Sequence, residues 1–191
     1  MAIFIALILI LALLAIIGMY YYNKLVALTV RVKEGWSDIL IQLKRRHDLI
    51  GNLIETVKGY TKYEAGTLDK IIEARNAAKT VEGGSPQAVL SAENTLNTAL
   101  RGINFSALSE AYPDLKANTS FNQLQSELSD TENKIAASRR FYNTVVSSLN
   151  TAIRQFPDNL FVNMAGAVPA EFFEMDEAEV KVASEAPQVK F

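Results

Sequence analysis

From Ala2 to Tyr22 the chain carries no charged side chain, and that run limits what the rest can become. In a helix rising about 1.5 Å per residue, these 21 positions cover roughly 31 Å, close to the thickness of a bilayer's hydrocarbon core. Ala2, Phe4, Leu9, Leu13 and Ile17 lie along it, and Tyr20, Tyr21 and Tyr22 form an aromatic belt at its exit before Lys24 closes it. A cleaved leader would show a basic start, an apolar stretch of about 7–15 residues and a small-x-small cleavage site. Here the stretch is longer, only Met1 precedes it, and bulky rings stand where a peptidase needs Ala or Ser. Residues 1–23 therefore read as an uncleaved transmembrane anchor in a cell (inner) membrane. Lys24, Arg31 and Lys33 precede the first acid, Glu34, so the positive-inside rule predicts an N-out, C-in chain with a cytoplasmic domain. The opposite topology stays open, because large domains cross membranes largely regardless of charge.

Composition narrows the chemistry. The chain has 191 residues, enough for one globular domain, with 19 basic and 21 acidic side chains. That balance lacks the basic excess that grips a nucleic-acid backbone, so nucleic acid is not an expected partner. The absence of cysteine excludes disulfides, thiolate catalysis and Cys-based metal centres, and a single histidine removes most other metal chemistry.

Beyond Lys24 the apolar residues step by three and four: Leu25, Leu28, Val32, Trp36, Ile39, Leu43, then Ile50, Leu53, Val57 and Tyr60. This is one face of a long helix. Gly35, Gly51, Gly59 and Gly66 interrupt it, which predicts a bend near Gly51 or Gly59, and Thr61-x-x-Glu64 has the form of a capping box that restarts the helix before Leu68, Ile71 and Ile72. Gly83-Gly84 is a stop. Ser85-Pro86 then reads as an N-cap with a first-turn proline, opening a helix with Val89, Leu96, Leu100 and Ile103 inward. Tyr112-Pro113-Asp114 breaks that helix, and Asn118 or Ser120 caps the next.

The last helix has the most regular pattern. Phe121, Leu124, Leu128, Thr131, Ile135, Ser138, Tyr142, Val145, Leu149, Ala152 and Phe156 alternate three- and four-residue steps, as knobs-into-holes packing requires. No hairpin signal or sustained two-residue alternation appears. The predicted fold is all-α: an N-terminal transmembrane helix followed by an antiparallel bundle of three to four long helices over residues 24–157. Residues 158–191 change character, with seven acids against two lysines, and read as a loose acidic tail whose apolar first half docks on the bundle or touches the bilayer.

The stretch from Gln42 to Tyr60, QLKRRHDLIGNLIETVKGY, resembles the LemA family of bacterial membrane proteins. The resemblance continues through Tyr22–Val26, Trp36-Ser37, Ala111–Asn118, Glu127–Ala136, Arg139–Asn143 and Phe156-Pro157, so it covers Tyr22 to about Pro157. It implies an anchored helical bundle but no reaction, cofactor or catalytic residue. It also implies partnership with a membrane metalloprotease of the HtpX type. Gly51 stands where the family commonly has Pro.

Candidate sites are few. Lys44-Arg45-Arg46 is the most basic cluster, and its plainest reading is ion pairing with Glu127, Asp130 or Glu132 of the last helix. The rival, acidic lipid, would require the helix to lie down, since the cluster begins about 20 residues, roughly 30 Å, beyond Lys24. His47 lacks the Glu-x-x-His spacing of bundle di-iron sites, Lys44 standing three before it, and reads as structural or surface. Trp36, Tyr60, Tyr112 and Tyr142 read as core aromatics, with an interface role as the alternative, and Pro113 as a turn. Thr131 and Ser138 read as polar seam positions, and Gln188-Val189-Lys190-Phe191 as a weak carboxylate-terminal peptide motif.

No catalytic, metal or cofactor-binding residue is assigned. The expected function is a non-enzymatic membrane scaffold or adaptor that presents a surface to a protein partner near the bilayer. A self-assembling membrane organiser, acting as a homo-oligomer, is the first alternative, and an unrecognised hydrolase is the second.

Overall fold

The computed structural model describes residues 1–60, 65–103 and 105–174. The capping box at Thr61 and Glu64, the acidic end of the tail and the Gln188–Phe191 motif lie outside those residues. Among the described residues the chain is helical, without strands: α1 (Ala2–Tyr60), α2 (Ala65–Thr80), α3 (Pro86–Arg101), α4 (Phe105–Ala111), α5 (Pro113–Ala117), α6 (Thr119–Arg154), a 3-10 turn (Asp158–Leu160) and α7 (Val162–Ala165). The all-α expectation holds. The chain divides into two compact units, one built from residues 1–38 and 140–172, the other from residues 39–139 with Phe173 and Glu174.

The first unit contains the apolar run. Its side chains are turned away from the rest of the chain: Phe4 is 67% exposed and Leu9 64%. A helix that apolar, with most of its surface uncovered by the described residues, has its free-energy minimum in lipid. The protein is membrane-associated through this helix. Past the aromatic belt, Leu25 enters a core with Leu149, Ala152 and Ala167, flanked by Leu28, Val32 and Ile153. Gly35 lets α6 approach α1 closely, because a Cβ there would stand 3.3 Å from the Phe141 ring and 3.4 Å from the Tyr142 Cα. Trp36 packs on Tyr142 with ring centroids 5.5 Å apart.

The second unit surrounds a core of Ile50, Leu53, Val57, Leu68, Ile71, Leu96, Leu115 and Phe121, to which α1, α2, α3, α5 and α6 contribute. α2 and α3 pack against each other across the Val81–Gly84 turn. Ser85 caps α3 by accepting a hydrogen bond from the Ala88 N–H at 3.3 Å, with Pro86 in the first turn. Of the two candidates for the start of α6, Asn118 is the cap: its Oδ1 accepts from the Phe121 N–H at 3.0 Å. Ser120 lies inside the first turn.

α1 is one continuous helix to Tyr60, so Gly51 and Gly59 lie inside it. Gly51 has a packing role: a Cβ there would lie 2.8 Å from the Arg75 guanidinium, which occupies the space. Tyr60, expected in the core, is 43% exposed at the helix end and accepts a hydrogen bond from Asn118 Nδ2 at 2.8 Å. Phe156 leaves the stripe because α6 ends at Arg154, and it is 74% exposed.

The two cap candidates differ in predicted cost. Asn118→Ala is expected to lose about 1 kcal/mol through its unpaired N–H, while Ser120→Ala stays within about 0.5 kcal/mol. Urea unfolding of the detergent-solubilised chain, followed by circular dichroism, separates them. Equal costs would contradict the cap assignment.

Candidate functional site

The apolar stripe of α1 runs Ile39, Leu43, then Ile50, Leu53 and Val57, and the position that the three-four rhythm skips is Arg46. The stripe of α3 runs Val89, Leu96, Leu100, and the position it skips is Glu93. The fold brings the two gaps together. Arg46 and Glu93 are 5% and 4% exposed, and His47, one residue on, is 1% exposed.

The geometry is a closed network within the second unit. Arg46 Nη1 donates to Glu93 Oε2 at 2.7 Å, and Nη2 donates to Asn97 Oδ1, one helical turn beyond Glu93 on α3. Arg46 Nε lies 2.7 Å from Glu132 Oε1 of α6 in an ion pair. The other oxygen of Glu93 is 2.7 Å from His47 Nε2, and His47 Nδ1 is 2.9 Å from Glu82, in the turn after α2. Arg75 Nε of α2 donates to the His47 carbonyl. Its guanidinium and Lys79 both face Asp48 of α1, at 3.8 and 3.4 Å.

With a carboxylate on each ring nitrogen, His47 is set up as a doubly donating imidazolium. Burial opposes the charge and is the largest single influence, but the hydrogen bonds and charges of Glu93 and Glu82 outweigh it together, so the pKa lies above the ordinary 6.5. Both Glu93 oxygens and both His47 nitrogens are engaged. The cluster joins α1 to α3, to α6 and to the turn between α2 and α3.

Of the residues singled out from sequence, Arg45 and Arg46 do face α6: Arg45 Nη2 is 3.6 Å from Glu127, and Arg46 meets Glu132. Asp130 instead pairs with Lys134 on its own helix at 2.7 Å, a hydrogen bond that holds its carboxyl below the usual value. Thr131 is fully buried and donates to the Glu127 carbonyl at 2.8 Å. Tyr112 is half-buried beside the core of the second unit, and exposed Pro113 opens α5. In the first unit Tyr142 is buried and donates to the Glu171 carbonyl at 2.8 Å, while burial and the Glu171 charge raise its phenol pKa. Ala2, Leu13, Ile17, Tyr20 and Tyr22 are exposed on the anchor, whereas Tyr21 stacks on Phe161. Sequence reasoning missed Glu93, Glu82 and Asn97. The readable signal was a glutamate at a core position of the α3 stripe.

The sequence model of the LemA family matches residues 35–191, so the match extends past Pro157 into the acidic tail. Protein LemA of Metamycoplasma hominis is 29% identical over 169 residues, covering 85% of this chain and 76% of that protein. Magnetosome protein MamQ of Magnetospirillum gryphiswaldense is 24% identical over 176 residues, and magnetosome protein MamQ 2 of Paramagnetospirillum magneticum 25% over 177. Each of these two alignments covers 80% of this chain and 64% of the relative, so the chain spans less than two thirds of the MamQ proteins. None of these names is that of an enzyme.

Removing Glu93 takes the shared buried carboxylate from two buried cations and leaves each only a partly exposed one, Glu132 for Arg46 and Glu82 for His47. Glu93→Gln is expected to cost about 3–5 kcal/mol, against about 1 kcal/mol or less for Glu132→Gln, whose carboxylate is half in water. Denaturant unfolding of the two variants checks the ranking. The raised pKa of His47 stabilises the fold fully below about pH 6.5, its unfolded value, and that contribution disappears as pH rises through the folded value. Thermal unfolding from pH 6 to 9 should therefore fall in wild type, with a shallower slope in His47→Gln; parallel slopes would refute the assignment.

Proposed function

The chain belongs to the LemA family, and from that membership and its geometry we propose that it is a membrane-anchored, non-enzymatic helical scaffold that presents a protein-interaction surface near the bilayer. One observation carries this reading: the most buried charged cluster spends its hydrogen-bonding capacity on holding helices together. Glu93 and His47, which chemistry would need free, are each engaged on both sides. The alternative of self-assembly through the α6 stripe has less support, because Phe121, Thr131, Ile135, Tyr142, Val145 and Leu149 are already covered within the chain.

The surface that suits a partner is the α2–α3 hairpin. Its outer side forms an open groove of about 740 Å³, floored by Ala74 and Leu90 and edged by Lys70, Glu73, Asn94 and Thr98. Apolar residues at the floor and polar residues at the rim suit a helix from a second protein. A membrane metalloprotease of the HtpX type is the partner class implied by the family resemblance and belongs to this proposal. The proposed location is the inner membrane with the domain in the cytoplasm, supported by Lys24, Arg31 and Lys33 beside the anchor.

Photo-crosslinking amino acids at Ala77 and Thr95 in intact cells should yield a discrete heterologous adduct; recovery of only self-adducts and lipid would overturn the adaptor reading. Topology is tested separately. With no native cysteine to subtract, Gln87→Cys should resist an impermeant thiol reagent in intact cells, and labelling there would place the domain outside.

A further inference from the structure

Around and beyond the end of α6, five apolar side chains recur at every fourth residue and stay in the open: Phe156, Leu160, Met164, Val168 and Phe172, at 74%, 66%, 63%, 68% and 38% exposure. Residues between them hold the segment down. Asp158, buried, pairs with Lys24 at 2.8 Å; the Phe161 ring stacks on Tyr21 at 5.9 Å and 10°; Ala167 sits in the core with Leu25 and Leu149. Asn150 clamps the Ala170 backbone, donating to its carbonyl and accepting from its N–H, both at 2.9 Å. Exposed apolar side chains thus alternate along this stretch with residues that fix it to α1 and α6.

Its neighbours identify what covers it. Phe161 comes within 3.2 Å of the point where Gly18 would carry a Cβ. Phe161 and Met164 line, with Leu14, Gly18, Met19 and Tyr22, an open-sided, almost wholly apolar cavity of about 450 Å³. Those α1 residues belong to the uncharged run. Leu14 lies eight residues before Tyr22, about 12 Å further along the helix axis. A bilayer that surrounds α1 at Leu14 and Gly18 must therefore also meet whatever is packed beside them.

We propose that residues 156–172 are a second membrane-contact element, which inserts Leu160 and Met164 among the acyl chains of the leaflet on the domain's side, with a lipid acyl chain filling the cavity against Leu14 and Gly18. The element lies in the interface without crossing it, because its helical turns are too short to span; its backbone bonds close mostly within those turns, and Asn150 of α6 holds Ala170. Its exposed asparagines, Asn159 and Asn163, suit the headgroup level. The anchor and this element together grip one leaflet at two points, which restrains the tilt of the first unit.

Site-directed spin labelling tests this on the full chain, reconstituted in phosphatidylethanolamine–phosphatidylglycerol vesicles. Single cysteines are introduced as Leu160→Cys and Met164→Cys, with Ile10→Cys as the lipid reference and Gln87→Cys as the aqueous one. Power saturation with oxygen and with a water-soluble nickel chelate then reports the surroundings of each label. The expected result is oxygen-dominated collision at 160 and 164, as at Ile10. Nickel-dominated collision at both positions, as at Gln87, would overturn the proposal; so would low access to both reagents, which would mean that protein covers the row. Circular dichroism equal to wild type verifies folding, and position 160, which does not line the cavity, carries the decision if substitution at the cavity wall disturbs packing.

Discussion

The Glu93 carboxylate is the group on which the arrangement of the second unit most depends. A carboxylate taken out of water costs several kcal/mol, and a buried guanidinium or imidazolium costs as much, so each is tolerable only beside the others. Glu93 gives one oxygen to Arg46 and the other to His47. This sets register. A slip of α3 by about one turn would bring Leu90 or Asn97 to the cations in place of Glu93, leaving only the partly exposed Glu132 and Glu82 against two buried charges. Apolar packing alone discriminates weakly between such slips, because one Leu or Ile resembles the next.

α1 answers to different surroundings along its length. Its first turns bury nothing within the chain and are apolar on every side, as lipid demands; from Leu25 onward the apolar residues narrow to a stripe. Of the glycines in this second stretch, Gly35 and Gly51 would each cost about 1 kcal/mol in an isolated helix. At Gly35 and Gly51 that cost is offset by close approach, the α6 backbone at one and the Arg75 guanidinium at the other. Glycine as a helix breaker and glycine as a contact look identical in one dimension.

The same limit explains how much was legible. Period and punctuation are local properties, so the anchor, the α6 stripe, the Ser85-Pro86 start and the absence of strand signals could be read directly. Arg45 and Arg46 could be matched to Glu127 and Glu132 because basic and acidic clusters on long helices have few places to go. Glu93 escaped because a lone glutamate in a helix is ordinarily solvated, and only its coincidence with the missing beat of the stripe marked it. Glu82, in a turn, carried no comparable mark. Tyr60 and Phe156 were assigned to the core by extrapolating a rhythm past the turns where the helices stop.

What the amino-acid sequence determined by itself is therefore the solvent of each segment: lipid for the uncharged run, a shared apolar interior for the stripes, water for the charged faces. Hydrophobic transfer acts on each side chain separately, so its outcome is written residue by residue. Tertiary structure alone decided which charges share an interior, with Arg46 and His47 meeting Glu93 across 47 and 46 positions of chain. It also decided that the stretch after α6 lies beside Leu14 and Gly18, close to the lipid-facing helix. Those pairings depend on where two distant segments come to rest, and no local pattern encodes that distance.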